Sequence, residues 1–192
     1  MARRARNEVR IIGGEWRGHR LRFAGDSGLR PTADRNRETL FNWLQPLVPG
    51  SRCLDLFAGS GALGLEAASR GAASVLLVER ERRALAQLHD NIQRLHAAQR
   101  VHVHAGDAMA LLAGTAHPMD IIFVDPPFAG KLLEPACSAL ARGGWSHGET
   151  RIYVEHAKYR PPKLPESWQV LRALDAGDVR FLLLQPQRGG GI

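Results

Sequence analysis

The segment DLFAGSGALG, Asp55–Gly64, decides the fold. An apolar run from Cys53 to Phe57 reads as a strand, a glycine-rich turn follows, and a helix runs from about Leu63 to Ser69. Gly59, Gly61 and Gly64 match the spacing G-x-G-x-x-G. Small residues there let a ligand approach the backbone at a helix N-terminus. Many nucleotide-binding proteins share that spacing, so the residue ahead of it carries more information. Asp55 precedes the first glycine by four residues. A carboxylate at that point repels a pyrophosphate and welcomes an ammonium group. The turn therefore favours a ligand with a cationic head, such as the methionine part of S-adenosylmethionine, over a dinucleotide.

Downstream the strand–helix alternation continues. Ser74 to Val78 reads as a second strand ending at Glu79, and Leu85, Leu88, Ile92 and Leu95 follow at helical spacing. Val101 to His104 is a third strand and Asp120 to Val124 a fourth. Leu132, Leu133, Ala136 and Leu140 mark a helix that stops at Gly143-Gly144. Arg151 to Glu155 is a fifth strand, and Trp168 to Leu174 and Val179 to Leu184 form a final hairpin. Repeated strand–helix units imply a doubly covered parallel sheet. The fold class is α/β, Rossmann-like, with about seven mostly parallel strands and an antiparallel last strand. Ahead of it, VRIIGGEWRGHRLRF (Val9 to Phe23) reads as a hairpin or small β-extension with turn signals at Gly13-Gly14 and Gly18. Thr32 is a plausible N-cap for a helix running to about Leu44.

In such folds ligands bind beyond the carboxyl ends of the strands. Asp55, Glu79, Asp107 and Asp125 all stand there. Glu79 can accept from ribose hydroxyls. The Asp107 carboxylate can accept from an adenine amine, with the Ala108 N–H donating to the ring, and Asp107 can equally cap a helix. The fourth strand runs into DPPF, Asp125 to Phe128. An exocyclic base amine is a poor nucleophile, because its lone pair is delocalised into the ring. It needs acceptors that orient its protons and expose the lone pair. The Asp125 carboxylate and the Pro126 carbonyl can supply them. Pro126 and Pro127 stiffen the loop, and Phe128 can stack on an extruded base.

The chain has 192 residues, enough for one domain with a small appendage. Its net charge is uneven. Residues 1–37 hold ten arginines against four acids, which accounts for six of the seven net positive charges. A basic arm on a nearly neutral body is an electrostatic footprint for phosphate. Cys53 and Cys137 lie in apolar stretches and read as buried thiols. His102 and His104 alternate on a strand with no third ligand nearby, so no metal is expected. No apolar run reaches about 18 residues and no apolar segment follows the basic start. The expected location is the cytoplasm.

The sequence resembles the RsmD-type family, bacterial methyltransferases that modify the exocyclic N(2) amine of a guanine in small-subunit (16S) ribosomal RNA. The resemblance runs from about Val9 to Pro186. It rests on RIIGGEWRG (Arg10 to Gly18), LRPTADRNRETLFNWL (Leu29 to Leu44), DLFAGSGALGLEAASRGA (Asp55 to Ala72) and FVDPPF (Phe123 to Phe128), with YVE at Tyr153 to Glu155. It implies a class I methyltransferase domain over residues 31–188 and a basic arm with a β-hairpin over residues 1–30. It implies S-adenosylmethionine as cofactor, held by Asp55, Phe57, Gly59, Gly61, Glu79, Asp107 and Ala108. Asp125, Pro126, Pro127 and Phe128 would hold the guanine. Arg10, Trp16, Arg17, Arg30, Thr32, Arg35 and Arg37 are the expected RNA contacts. The partner would be ribosomal RNA, within the small subunit or its precursor, and the protein would act as a monomer. Three rivals stand beside this reading: a dehydrogenase, a non-catalytic ribosome-assembly protein, and a methyltransferase for another RNA or DNA amine. DPPF argues against the first two. Asp125, where adenine-directed DNA enzymes commonly carry Asn, argues against DNA adenine.

Overall fold

The computed structural model describes residues 8–23, 34–126 and 131–187. A two-stranded hairpin, β1 (Glu8–Arg10) and β2 (Arg20–Arg22), precedes helix α1 (Asp34–Leu44). Then come β3 (Arg52–Asp55), α2 (Ala62–Ser69), β4 (Ser74–Glu79), α3 (Arg82–Arg94), β5 (Val101–Ala105) and a short helix α4 (Ala108–Leu112). The chain finishes with β6 (Met119–Val124), α5 (Leu133–Arg142), β7 (Ser146–Ala157), β8 (Trp168–Ala176) and β9 (Val179–Pro186).

Seven strands form one sheet in the order β5-β4-β3-β6-β7-β9-β8. Every pair from β5 through β7 is parallel, and β9 runs antiparallel to both β7 and β8. This is the doubly wound sheet with an antiparallel last strand that the alternation implied. The chain moves outward from β3 to β4 and β5, then returns to lay β6 on the other side of β3. The crevice at the carboxyl ends of β3 and β6 is therefore the topological switch, where such sheets bind ligands.

Alternate strand residues feed two cores. Cys53, Val75, Leu77, Ile121, Phe123 and Tyr153 face the side covered by α1, α2 and α3. Leu54, Val78, Ile122, Val124, Ile152 and Val154 face α4 and α5. Both cysteines are buried. Burial pushes each thiol up to about 12, which leaves no thiolate at neutral pH.

β7 is longer than the segment Arg151 to Glu155 expected from sequence. Its pairing with β6 slips between Met119 (opposite Ser146) and Ile121 (opposite Arg151). Thr150 holds the surplus residues. Its hydroxyl accepts from the His147 N–H at 2.8 Å and donates to the Met119 carbonyl at 2.7 Å. At the other end β7 continues past Val154, the partner of Val124, because β9 pairs with Glu155, His156 and Ala157.

All eight residues of α2 are buried, because the hairpin covers the face turned away from the sheet. Val9, Ile11, Trp16 and Leu21 join the same core as α2 and the sheet. The Glu66 carboxylate, fully buried, accepts from the Ile12 and Gly13 N–H groups, each at 2.8 Å, and from Arg70 Nε at 2.7 Å. The Ser69 hydroxyl donates to the Gly13 carbonyl at 2.6 Å and accepts from the Trp16 N–H at 2.9 Å. Gly14 sits at φ +78°, with the Ser69 carbonyl oxygen 1.9 Å from where a Cβ would stand. Only glycine permits that approach. The Gly13-Gly14 pair is thus part of a connection over residues 11–19 whose main task is to seat the hairpin on α2.

Candidate active site

β3 ends at Asp55, whose side chain is 3% exposed. Its Oδ2 accepts from the Gly64 N–H at 3.0 Å, tying the strand end to the helix that follows the turn. The Phe57 N–H also donates to this carboxylate. Between them Gly61, at φ +76°, presses against Leu65 and Leu88, and a Cβ there would meet Leu88 at 2.7 Å. Gly64 lets α2 lie on the sheet, since a Cβ would stand 2.3 Å from Leu77 and 3.0 Å from Val75. Phe57 is half-buried and packs against the core beneath the turn.

Glu79 ends β4. Its Oε2 accepts from the Gly59 N–H at 2.9 Å, and its Oε1 accepts from the Arg80 and Glu81 N–H groups, each at 2.8 Å. Two of the glycine-loop anchors are therefore acids. A carboxylate has about four acceptor positions, so Glu79 keeps capacity on Oε2 for a further donor. Asp107 caps α4, its Oδ1 accepting from Met109 and Ala110 N–H groups at 2.9 and 3.1 Å. Its Oδ2 faces Arg80 at 3.5 Å on the exposed side. Capping leaves this second oxygen to its exposed contact with Arg80, where a carboxylate oxygen can accept from a further donor. Ala108 opens α4, where the first N–H groups have no acceptor within the helix.

Asp125 follows β6 and is half-buried, and Pro126 behind it is buried. Pro127 and Phe128 lie outside the described residues. Glu155 on β7 comes level with Asp125, because Val154 pairs with Val124. The Tyr153 hydroxyl donates to Glu155 Oε2 at 3.2 Å. Glu155 was not among the residues expected at the site, although YVE was one of the segments carrying the resemblance. Its place depends on a pairing between residues about thirty apart, which no local pattern reports.

The electrostatics of this edge are those of crowded acids. Burial pushes the Asp55 carboxyl up from 3.8 to about 7, and Glu79 adds to the rise. The Asp125 carboxyl is pushed well above the usual carboxylate range, first by burial and then by Glu155 and Asp55. Removing water from like charges disfavours the ionised forms. A cation placed among them restores those forms, so the cluster is built to receive positive charge. The donor set fits S-adenosylmethionine in this respect: acids around a glycine turn suit a ligand with a cationic head. Among the described residues no group of three or more His, Cys, Asp or Glu is arranged to hold a metal ion.

The expected RNA contacts divide. Arg10, Arg17 and Arg35 are exposed. Arg30 and Thr32 lie outside the described residues, as do Arg3, Arg4 and Arg6. Arg37 and Trp16 are corrections. Arg37 is fully buried, with Nη2 donating to the Arg10 carbonyl at 2.6 Å and to Asp34 Oδ1 at 2.7 Å. Trp16 is 5% exposed, with the Arg100 guanidinium 5.0 Å from its ring. Both hold the hairpin to the body and offer no surface to a nucleic acid. The helical period of α1 turns Arg37 inward with Leu40, Phe41 and Leu44, and an arginine at a core-facing position resembles a surface arginine in sequence.

A family model described as "Conserved hypothetical protein 95" matches residues 9–185. The chain belongs to this family. The Ribosomal RNA small subunit methyltransferase D of Escherichia coli (strain K12) is 46% identical over 184 residues, 95% of this chain and 92% of that protein. The protein of the same name from Haemophilus influenzae is 42% identical over 185 residues, 94% and 95% of the two chains. The solved structure of the Escherichia coli yhhF protein superposes with a TM-score of 0.85 at 47% identity, covering 94% of this chain and 98% of that one. The HI0767 structure from Haemophilus influenzae gives 0.81 at 40%, covering 94% and 99%. At this identity over nearly the whole of both chains, the chain is a methyltransferase of the family, and the RsmD-type resemblance read from its motifs is borne out.

Proposed function

We propose that this protein transfers a methyl group from S-adenosylmethionine to the exocyclic N(2) amine of a guanine in small-subunit ribosomal RNA. One observation supports the chemistry most. Asp55, Glu79, Asp125 and Glu155 come together where β3, β4 and β6 end and β7 passes, around a glycine turn. The names of the relatives support the choice of small-subunit ribosomal RNA, and Asp125 at the head of DPPF favours guanine.

S-adenosylmethionine supplies an electrophilic methyl group on a positively charged sulfur. Asp55 suits its ammonium end, with Phe57, Gly59 and Gly61 lining the turn. Glu79 and Oδ2 of Asp107 suit ribose and adenine, with the Ala108 N–H beside them. Asp125 and the Pro126 carbonyl accept from the guanine amine and fix its orientation. Positioning of this kind supplies much of the rate when a transfer needs no covalent intermediate. Asp125, held above the ordinary carboxylate range, is also a stronger proton acceptor than a solvated aspartate, which suits it to take the amine proton after transfer. Pro127 and Phe128 complete the base-binding loop in this reading.

RNA is held by Arg10, Arg17 and Arg35, with Arg30 and Thr32. Residues 1–30 serve as the RNA-holding arm and residues 31–188 as the catalytic body. The protein works as a cytoplasmic monomer on the small subunit or its precursor. No helix among the described residues is long and apolar enough to cross a membrane. The test is tritiated methyl transfer to small ribosomal subunits from cells lacking this enzyme, followed by nucleoside mapping. Label in N(2)-methylguanosine is expected. Label in adenosine, or none, would refute the proposal.

A further inference from the structure

β7 does not stop at the active-site edge. It runs on through His156 and Ala157, then turns at Lys158, Tyr159 and Arg160. Tyr159 is 78% exposed, the highest value among the described large apolar side chains that stand open to solvent. A large ring left in water on a loose loop would mean little, but this turn is braced. The Lys158 N–H donates to the Asp178 carbonyl at 2.8 Å, and the Arg160 N–H donates to the Ala157 carbonyl at 3.0 Å. Lys158 Nζ pairs with Asp175 at 3.2 Å, and Asp175 is gripped by Arg180 at 2.6 and 3.0 Å. Pro161 and Pro162 then fix the backbone leaving the turn.

The charge around the ring is basic. Lys158 Nζ lies 5.8 Å from the Tyr159 ring centroid. Arg160 is exposed and makes no ion pair with a described residue. Of the acids at the facing turn, Asp175 is matched by Lys158 and Arg180, leaving Asp178. The place in the fold adds direction. Tyr159 is four residues beyond Glu155, so it lies within about 14 Å of it along the chain. The hairpin covers α2 over the β3–β4 half of the sheet, whereas Tyr159 rises from the β7–β9 half. Asp125, just past the central strand β6, lies between them.

We propose that Lys158, Tyr159 and Arg160 form a second contact surface for single-stranded RNA. Tyr159 stacks on an unpaired base flanking the target nucleotide, and Arg160 holds phosphate. Stacking on an exposed aromatic ring beside cations is how single strands are gripped without sequence readout. A protein-docking patch would surround the ring with further apolar side chains, and the residues flanking it in the turn, Lys158, Arg160, Pro161 and Pro162, are charged or proline. The inference rests on RNA being the substrate and extends the contact to the far side of the catalytic loop.

The test uses the full chain and a fluorescently labelled, unstructured 12-nucleotide RNA, with affinity read by anisotropy across a salt series. Tyr159→Ala is expected to weaken binding about tenfold or more, with an unchanged urea midpoint. Tyr159→Phe is expected to stay within about twofold of wild type. Arg160→Ala is expected to reduce the slope of log affinity against log salt by about 0.7. Equal binding by Tyr159→Ala and wild type would overturn the proposal. So would loss of binding to whole subunits but not to the oligonucleotide, which would assign the ring to a ribosomal protein. Methyl transfer to subunits by the wild-type chain is measured separately. Its failure would remove the proposed function, and the oligonucleotide series would still decide the role of Tyr159.

Discussion

Asp55→Asn is expected to stabilise the ligand-free protein at neutral pH while weakening its hold on cofactor. The carboxyl of Asp55 rises from 3.8 in an ordinary environment to about 7 in the fold, first because it is buried. The folded state therefore binds this proton more tightly than the unfolded state. The associated stability is fully present below 3.8 and is lost as pH rises through about 7. The interval between 3.8 and about 7 corresponds to about 4 kcal/mol above neutrality. Asparagine carries no charge at any of these pH values. It can still accept from the Gly64 N–H, which Asp55 engages at 3.0 Å. Urea unfolding of both proteins between pH 4 and pH 8, followed by the fluorescence of the buried tryptophans Trp16, Trp145 and Trp168, measures the difference. The two stabilities should lie close together near pH 4 and diverge with pH, the variant gaining up to about 4 kcal/mol by pH 8. S-adenosylmethionine should raise the melting temperature of the wild type at pH 8 far more than that of the variant. Parallel stability curves across the range would refute the reasoning, because they would mean that Asp55 carries no burial cost for a cation to relieve.

Other substitutions probe the scaffold and the chemistry. Glu66→Gln leaves one acceptor oxygen where the carboxylate serves Ile12, Gly13 and Arg70. It should cost about 3 kcal/mol or more in urea unfolding, with hydrogen exchange at Ile12 and Gly13 accelerated; a loss below 1 kcal/mol would show that the clamp is dispensable. Gly64→Ala drives a methyl group to within 2.3 Å of Leu77 and should cost about 1–3 kcal/mol by the same assay. Asp125→Ala should retain S-adenosylmethionine binding by calorimetry and lose at least about a hundredfold in methyl transfer; comparable turnover would remove Asp125 from the chemistry.

The parts of this protein that were legible in sequence are those encoded by neighbours. The strand–helix alternation, the glycine turn after β3 and the acids at strand ends each lie within a few residues, where periodicity and turn chemistry operate. Asp55, Glu79, Asp107 and Asp125 stand at the ends where the pattern put them. The residues whose place local pattern does not report have distant partners. Nothing local marks Glu66, because its partners Ile12 and Gly13 are more than fifty residues away. Arg37 and Trp16 belong to a basic, RNA-like stretch by composition, yet packing turns both inward.

Sequence by itself determined the class of fold, the order of its units and which acids stand at the strand ends, because those depend on local spacing. Tertiary structure decided which strand ends meet. The register of β6 on β7 sets Glu155 beside Asp125, and β9 carries β7 onward to expose Tyr159. Burial decided the charge state, since the same aspartate has an ordinary pKa in water and one near 7 inside a dry cluster of acids. Neither the pairing of distant strands nor the loss of water is a property of a sequence window. Both arise only when the chain closes on itself.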